Sequence, residues 1–140
     1  MTVKAERYEI EVEGTMDSLP VVRHFVAATL ERLGIGDPPA CDIGLAVDEI
    51  TTNIVRHVYK EKAGRIWVTC YRPGDELYLI IKDEGRPFDL SAMPPPGLTS
   101  ELENRNAGVP GICFVRRVMT RISYEYRDGI NIVTMVKKIG

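Results

Sequence analysis

The stretch CDIGLAVDEITTNIVRHVYK, residues 41–60, carries apolar residues at Ile43, Val47, Ile50, Ile54 and Val58, the spacing of one helix face. It predicts a helix that opens after Asp37-Pro38-Pro39 and runs to about Gly64. Glu49 and Asn53 stand at i and i+4, one turn apart on the same side. With about 100° between successive residues, that side borders the apolar stripe. Arg56 and His57 continue the same edge.

Working outward, RYEIEVE (7–13) alternates Tyr8, Ile10 and Val12 with charged residues, as a half-buried strand does. Asp17 and Ser18 can cap a following helix, with Pro20 in its first turn. That helix packs Val22, Phe25, Val26, Thr29, Leu30 and Leu33 and ends at Gly34. Beyond the decisive helix, RIWVTCYR (65–72) and ELYLIIKD (76–83) read as strands joined by the turn Pro73-Gly74-Asp75. Residues 91–110 hold three consecutive prolines and little apolar periodicity, the texture of a functional or disordered loop. A short helix, GICFVRRVMT (111–120), follows, and the chain closes with RISYEYR and INIVTMVKKI around Asp128-Gly129, a two-residue hairpin signal. The order β-α-α-β-β-loop-α-β-β predicts a two-layer α/β sandwich: one domain, 1–140, with a mixed, mostly antiparallel sheet and helices on one face.

Composition excludes more than it selects. At 140 residues, 44% hydrophobic and 27% charged, the chain has the make-up of an ordinary globular domain rather than a disordered or fibrous one. No apolar run is long enough to span a membrane, and the N-terminus lacks a signal-peptide core. A net charge of −2 provides no basic field for nucleic acid. Cys41, Cys70 and Cys113 form no metal-ligand spacing and cannot all pair, so reduced thiols in a cytoplasmic protein are expected.

Three segments carry residue types suited to chemistry. The carboxylate and carboxamide of Glu49 and Asn53 at the rim of a core can build a metal and base site, because an amide oxygen is a hard ligand suited to Mg²⁺. A polar helix edge facing water is the plainer reading of the same pair. In IKDEGRPFDL (81–90), Asp83 ends an apolar strand, where it can accept a hydrogen bond from an exocyclic amine such as that of adenine. Gly85 then allows a tight turn. In NAGVPGICF (106–114), glycines lead into a helix, leaving backbone N–H groups for phosphate oxygens, although Pro110 removes one donor. No GxxxxGK[ST] is present, so phosphate binding of the P-loop kind is excluded.

Taken in order, AVDEITTNIVRHVYK (46–60), IKDEGRPFDL and the glycine segment resemble the anti-sigma-factor serine kinases. These belong to the ATPase superfamily of gyrase, the heat-shock chaperone and histidine kinases, and the resemblance spans essentially the whole chain. It implies a histidine-kinase-like ATPase fold, with ATP and Mg²⁺ as cofactors. Glu49 would be the general base toward a serine hydroxyl, and Asn53 the Mg²⁺ ligand. Asp83 would read the adenine amino group, and Gly85 would permit close approach of the base. Arg56 and His57 would line the site, residues 91–107 would form a lid, and Gly108 and Gly111 its closing hinge. Implied partners are a sigma factor, a STAS-type antagonist carrying the substrate serine, and a second copy of the chain. Arg86 and Arg105 are further phosphate candidates, though loop arginines are more often solvated.

The second glycine box departs from the family pattern. Val109-Pro110-Gly111-Ile112 stands where glycine and apolar residues normally alternate, and Gly108 falls one position early. This departure favours a second reading, a partner-switching module that binds nucleotide weakly or not at all. A third reading, the catalytic domain of a histidine kinase, ranks below these, because with the first strand beginning by residue 7 no upstream segment with a phosphoacceptor histidine is expected. His24 is expected to be solvated or structural, Trp67, Tyr71 and Tyr78 to be packing residues, and the cysteines to be small buried hydrophobes.

Overall fold

A computed structural model describes residues 6–59, 63–89 and 111–139. Strand β1 (Arg7–Glu13) leads through a short turn, Met16–Ser18, into helix α1 (Leu19–Arg32). Helix α2 (Asp37–Asn53) continues into a widened turn at Ile54–Val58. Strands β2 (Arg65–Tyr71) and β3 (Glu76–Asp83) form a hairpin. Helix α3 (Ile112–Val118) precedes a second hairpin of β4 (Arg121–Arg127) and β5 (Ile130–Lys138).

The five strands form one sheet in the order β1-β2-β3-β5-β4. Every neighbouring pair is antiparallel. The sheet is therefore less mixed than its element order suggests. β3 and β4 run in the same direction, but β5 lies between them, so the crossover through α3 creates no adjacent parallel pair.

Period-two alternation sorts each strand onto two faces. Ile66, Val68 and Cys70 of β2, Leu77, Leu79 and Ile81 of β3, and Val133 and Met135 of β5 are buried in the core. Against them pack Val22, Val26 and Leu30 of α1, Ile43, Val47 and Ile50 of α2, and Ile54 of the turn that follows it. At the last rung of the inward face the apolar pattern stops: Asp83 of β3 stands opposite Asn131 of β5, and both are buried. On the outward face, the Tyr71 and Tyr78 rings stack at 4.9 Å, and Trp67 Nε1 donates to Glu11 at 2.6 Å. These aromatics are packing residues, as their strand positions predict.

Local chemistry explains most boundaries. Gly34 takes φ +77° just past α1, and Gly74 takes φ +86° in the first hairpin turn. Asp128 and Gly129 both have positive φ, the two-residue turn whose twist matches the flanking strands. Three boundaries differ from expectation. Ser18 precedes α1 in helical conformation without a side-chain capping bond, because Met16–Ser18 already turns the chain. α2 begins at Asp37, so its prolines occupy the first turn, where a missing N–H costs nothing. The helix also stops at Tyr59 rather than near Gly64.

That stop has a visible cause. Tyr59 N–H donates to the Ile54 carbonyl at 2.9 Å, a five-residue reach that widens the last turn. Tyr59 thereby follows Ile54 into the core, while Arg56 and His57 remain exposed. Its ring fills the space where a Cβ on Gly14 or Gly64 would fall, 2.2 and 2.4 Å away. Its hydroxyl accepts from Glu84 N–H and donates to the Arg65 carbonyl, each at 2.7 Å. The helix end is thus pinned to both β2 and the end of β3. The cysteines divide: Cys70 is buried, Cys113 half-buried and Cys41 exposed, so the expectation of small buried hydrophobes holds for Cys70 and fails for Cys41. No helix among the described residues is long and apolar enough to cross a membrane.

Candidate functional site

Glu49 and Asn53 lie on the half-buried edge of α2 that the sequence places beside the core stripe. Asn53 Nδ2 donates to Glu49 Oε1 at 2.9 Å. This contact fixes the amide orientation and leaves Asn53 Oδ1 without a donor among the described residues. Gly111, entering α3, adopts φ +64°, and a Cβ there would lie 3.9 Å from Glu49 Oε1. The start of α3 therefore passes directly beside the carboxylate.

Asp83 is only 3% exposed at the end of β3. Its Oδ1 accepts from Gly85 N–H and from Asn131 Nδ2, both at 2.9 Å. Burial pushes the Asp83 carboxyl above the usual carboxylate range, opposed by these two donors. Gly85 is required by close packing, since a Cβ would come within 2.1 Å of Val58 Cγ1 and 3.1 Å of Asp83 Oδ1. The widened turn after α2 and the loop after β3 thus meet at a residue without a side chain.

Arg56 and His57 are exposed on the turn after α2. The His57 ring lies parallel to Phe88, 6.3 Å between centroids and 4° between planes. Arg86 covers the other reach of Phe88 at 5.2 Å and donates to the His57 carbonyl at 3.3 Å. Arg86, a phosphate candidate by sequence, is therefore engaged in bracing this loop. Gly108, Arg105, the remainder of the expected lid at 91–107, and Val109 and Pro110 lie outside the described residues.

The residue that sequence reasoning missed is Asn131. It reads as a polar position near the start of a strand, and only the strand register reveals its place opposite Asp83. Tyr124, diagonal to it on β4, donates to Asn131 Oδ1, as does Phe88 N–H at 3.1 Å. Burial raises the Tyr124 hydroxyl above its ordinary range. The polar pair at the end of an otherwise apolar face is the signal that would have found it.

The donor chemistry fits Mg²⁺ in one respect: Asn53 presents an amide oxygen, a hard neutral ligand. No group of three or more His, Cys, Asp or Glu side chains that could hold a metal ion occurs among the described residues. A metal held here would share its coordination with a ligand's own oxygens.

The fold is a two-layer sandwich that carries an acid-amide helix edge, a buried strand-end carboxylate and a short helix α3 entered through Gly111. The chain belongs to the family described as histidine kinase-like ATPase domain, which matches residues 12–137. Serine-protein kinase RsbW of Bacillus mycoides (strain KBAB4) is 24% identical over 137 residues, covering 95% of this chain and 86% of that protein. Serine-protein kinase RsbW of Bacillus cereus (strain G9842) is similar to the same extent, 24% over 137 residues with the same coverage of both chains. Among solved structures, the RsbU and RsbW domains of a Mycobacterium tuberculosis protein superpose with TM-score 0.69 at 18% identity, over 95% of this chain. The chain spans about a third, 32%, of that one. A blue-light activated histidine kinase of Erythrobacter litoralis superposes with TM-score 0.57 at 17% identity, over 86% of this chain and 42% of its own. Both establish the fold.

Proposed function

We propose that this protein is an ATP- and Mg²⁺-dependent serine kinase that phosphorylates a STAS-type antagonist and holds a sigma factor. The observation that carries the reading is the Glu49–Asn53 contact beside Gly111, set in a chain whose relatives are named serine-protein kinases. Phosphoryl transfer depends on positioning and charge neutralisation more than on covalent help.

Each residue then has a defined task. Asp83 accepts from the exocyclic amine of the base, and Gly85 leaves room for the base to approach. Asn53 would hold the metal through its amide oxygen, and a bound Mg²⁺ would neutralise charge on the nucleotide phosphates. Glu49, kept in place by the Asn53 amide, accepts the proton of the attacking serine hydroxyl. The serine oxygen forms a bond to the γ-phosphorus as the bond from that phosphorus to the β–γ bridging oxygen breaks, giving phosphoserine and ADP. Arg56 and His57 line the phosphate side, and Gly111 leads into α3 beside Glu49. Partner exchange follows from the change in charge at the serine, and a homodimer in the cytoplasm completes the reading.

The test is to incubate the protein with Mg-ATP and its cognate antagonist and follow the antagonist's mass. One added phosphate on serine is the expected result. ATP binding without transfer, or no ATP binding at all, would replace this reading with that of a partner-binding module.

A further inference from the structure

The amide of Asn131 is fully used. Nδ2 donates to Asp83 Oδ1 at 2.9 Å and to the Arg86 carbonyl at 2.7 Å. Oδ1 accepts from Phe88 N–H at 3.1 Å and from the Tyr124 hydroxyl. These partners admit one amide orientation. Reversed, the NH₂ would face the Phe88 N–H and the amide oxygen would face a carboxylate. Asn131 is 1% exposed, so both faults would be paid in a dry interior.

The consequence falls on Asp83. With Gly85 N–H and Asn131 Nδ2 both on Oδ1, that oxygen is saturated. Oδ2 takes no donor among the described residues. The same amide also ties the loop 85–88 to β5, since it holds the carbonyl of Arg86 and the N–H of Phe88.

Resting on the nucleotide-site reading above, we propose that Asn131 is the specificity-setting positioning residue of the purine pocket. By occupying Asp83 Oδ1 it leaves Oδ2 as a lone acceptor, which takes a 6-amino purine and refuses a 6-oxo purine. Without the Nδ2 donor the carboxylate is free to rotate. Burial then drives it toward protonation, and a protonated carboxyl can donate to a 6-oxo group. Discrimination is lost before binding is.

The experiment is calorimetric titration with Mg-ATP and Mg-ITP of the wild type, Asn131→Ala and Asn131→Asp. The aspartate variant keeps the volume and an acceptor for Phe88 and Tyr124, removes the Nδ2 donations to Asp83 and to the Arg86 carbonyl, and sets a second carboxylate beside Asp83. The wild type is expected to prefer ATP by at least about tenfold, as a site built around one hydrogen bond does. Both variants are expected to bring the two affinities within about threefold of each other, because the hydrogen bond that separates the two bases is no longer enforced. Equal weakening toward both nucleotides, with the preference intact, is what a purely structural role predicts and overturns the inference. A wild type that binds both nucleotides equally overturns it as well. A wild type that binds neither overturns the nucleotide-site reading and this inference with it.

Discussion

Asn53 Nδ2 donates to Glu49 Oε1 at 2.9 Å across one helical turn, so each residue fixes the other, and among the described residues the second oxygen of each takes no donor. An amide and a carboxylate at this spacing on any exposed helix could swing independently. Here the half-buried edge of α2 and the passage of Gly111 alongside limit both.

The Asn53 amide oxygen sets the first prediction. Asn53→Ala should leave metal-free ATP binding nearly unchanged but abolish its enhancement by Mg²⁺, a loss of about tenfold or more in the presence of metal. Titrations with Mg²⁺ and with a chelator measure the difference. Enhancement retained in the variant would remove Asn53 from the metal's coordination.

Asp83→Asn should separate stability from binding. Asparagine keeps an acceptor for Gly85 N–H and Asn131 Nδ2 while removing a buried charge. Because burial raises the Asp83 carboxyl, its ionised form opposes folding at neutral pH, and that opposition fades as pH falls and the proton is taken up. The nucleotide-free variant is therefore expected to melt no lower than the wild type at pH 7, with any advantage shrinking toward acid pH. ATP affinity should fall by at least about tenfold, the scale of one charge-assisted hydrogen bond. Thermal unfolding across pH and calorimetry check the two halves.

Gly85→Ala tests the close meeting of two loops. A Cβ placed 2.1 Å from Val58 Cγ1 forces movement of backbone or side chain. Overpacking of this kind costs about 1–3 kcal/mol, and denaturant unfolding should show it. Gly44→Ala, inside α2 with no heavy atom within 4 Å of its Cβ, is the control and should not destabilise, gaining about 0.5–1 kcal/mol from the alanine's helix preference.

Tyr59 supplies an alkaline signature. Burial pushes its hydroxyl up to about 12 from an ordinary 10.0. The folded protein therefore holds that proton more tightly than the unfolded chain, and the stabilisation is complete below about pH 10 and is lost as pH rises toward about 12. Tyr59→Phe leaves Glu84 N–H and the Arg65 carbonyl without their partner, lowers stability at neutral pH, and flattens the decline in that window. Unfolding free energies measured from pH 8 to 12 decide it.

Much of the fold was legible because it rests on local rules. The alternation of Tyr8, Ile10 and Val12, the glycines at 34 and 74, and the Asp128-Gly129 turn each follow from short-range sterics or period-two burial. The Glu49–Asn53 pair was legible for the same reason, since helical spacing alone brings the two together. The end of α2 was not. The stop depends on Tyr59 finding space between Gly14 and Gly64, residues distant in sequence whose shared cavity no helical pattern displays. Asn131 was hidden for a related reason. A polar residue early in a strand acquires meaning only when the register sets it opposite Asp83, and register is a property of two strands together.

The central claim is that Glu49 takes the proton from an attacking serine. Single-turnover phosphate transfer from Mg-ATP to the antagonist, in the wild type and in Glu49→Gln, tests it most directly. Glutamine keeps the size of the side chain and an acceptor for the Asn53 amide, but it is not a base at neutral pH. The account predicts a transfer rate lower by at least about a hundredfold with ATP affinity changed by less than about threefold. Transfer at the wild-type rate by Glu49→Gln would contradict it.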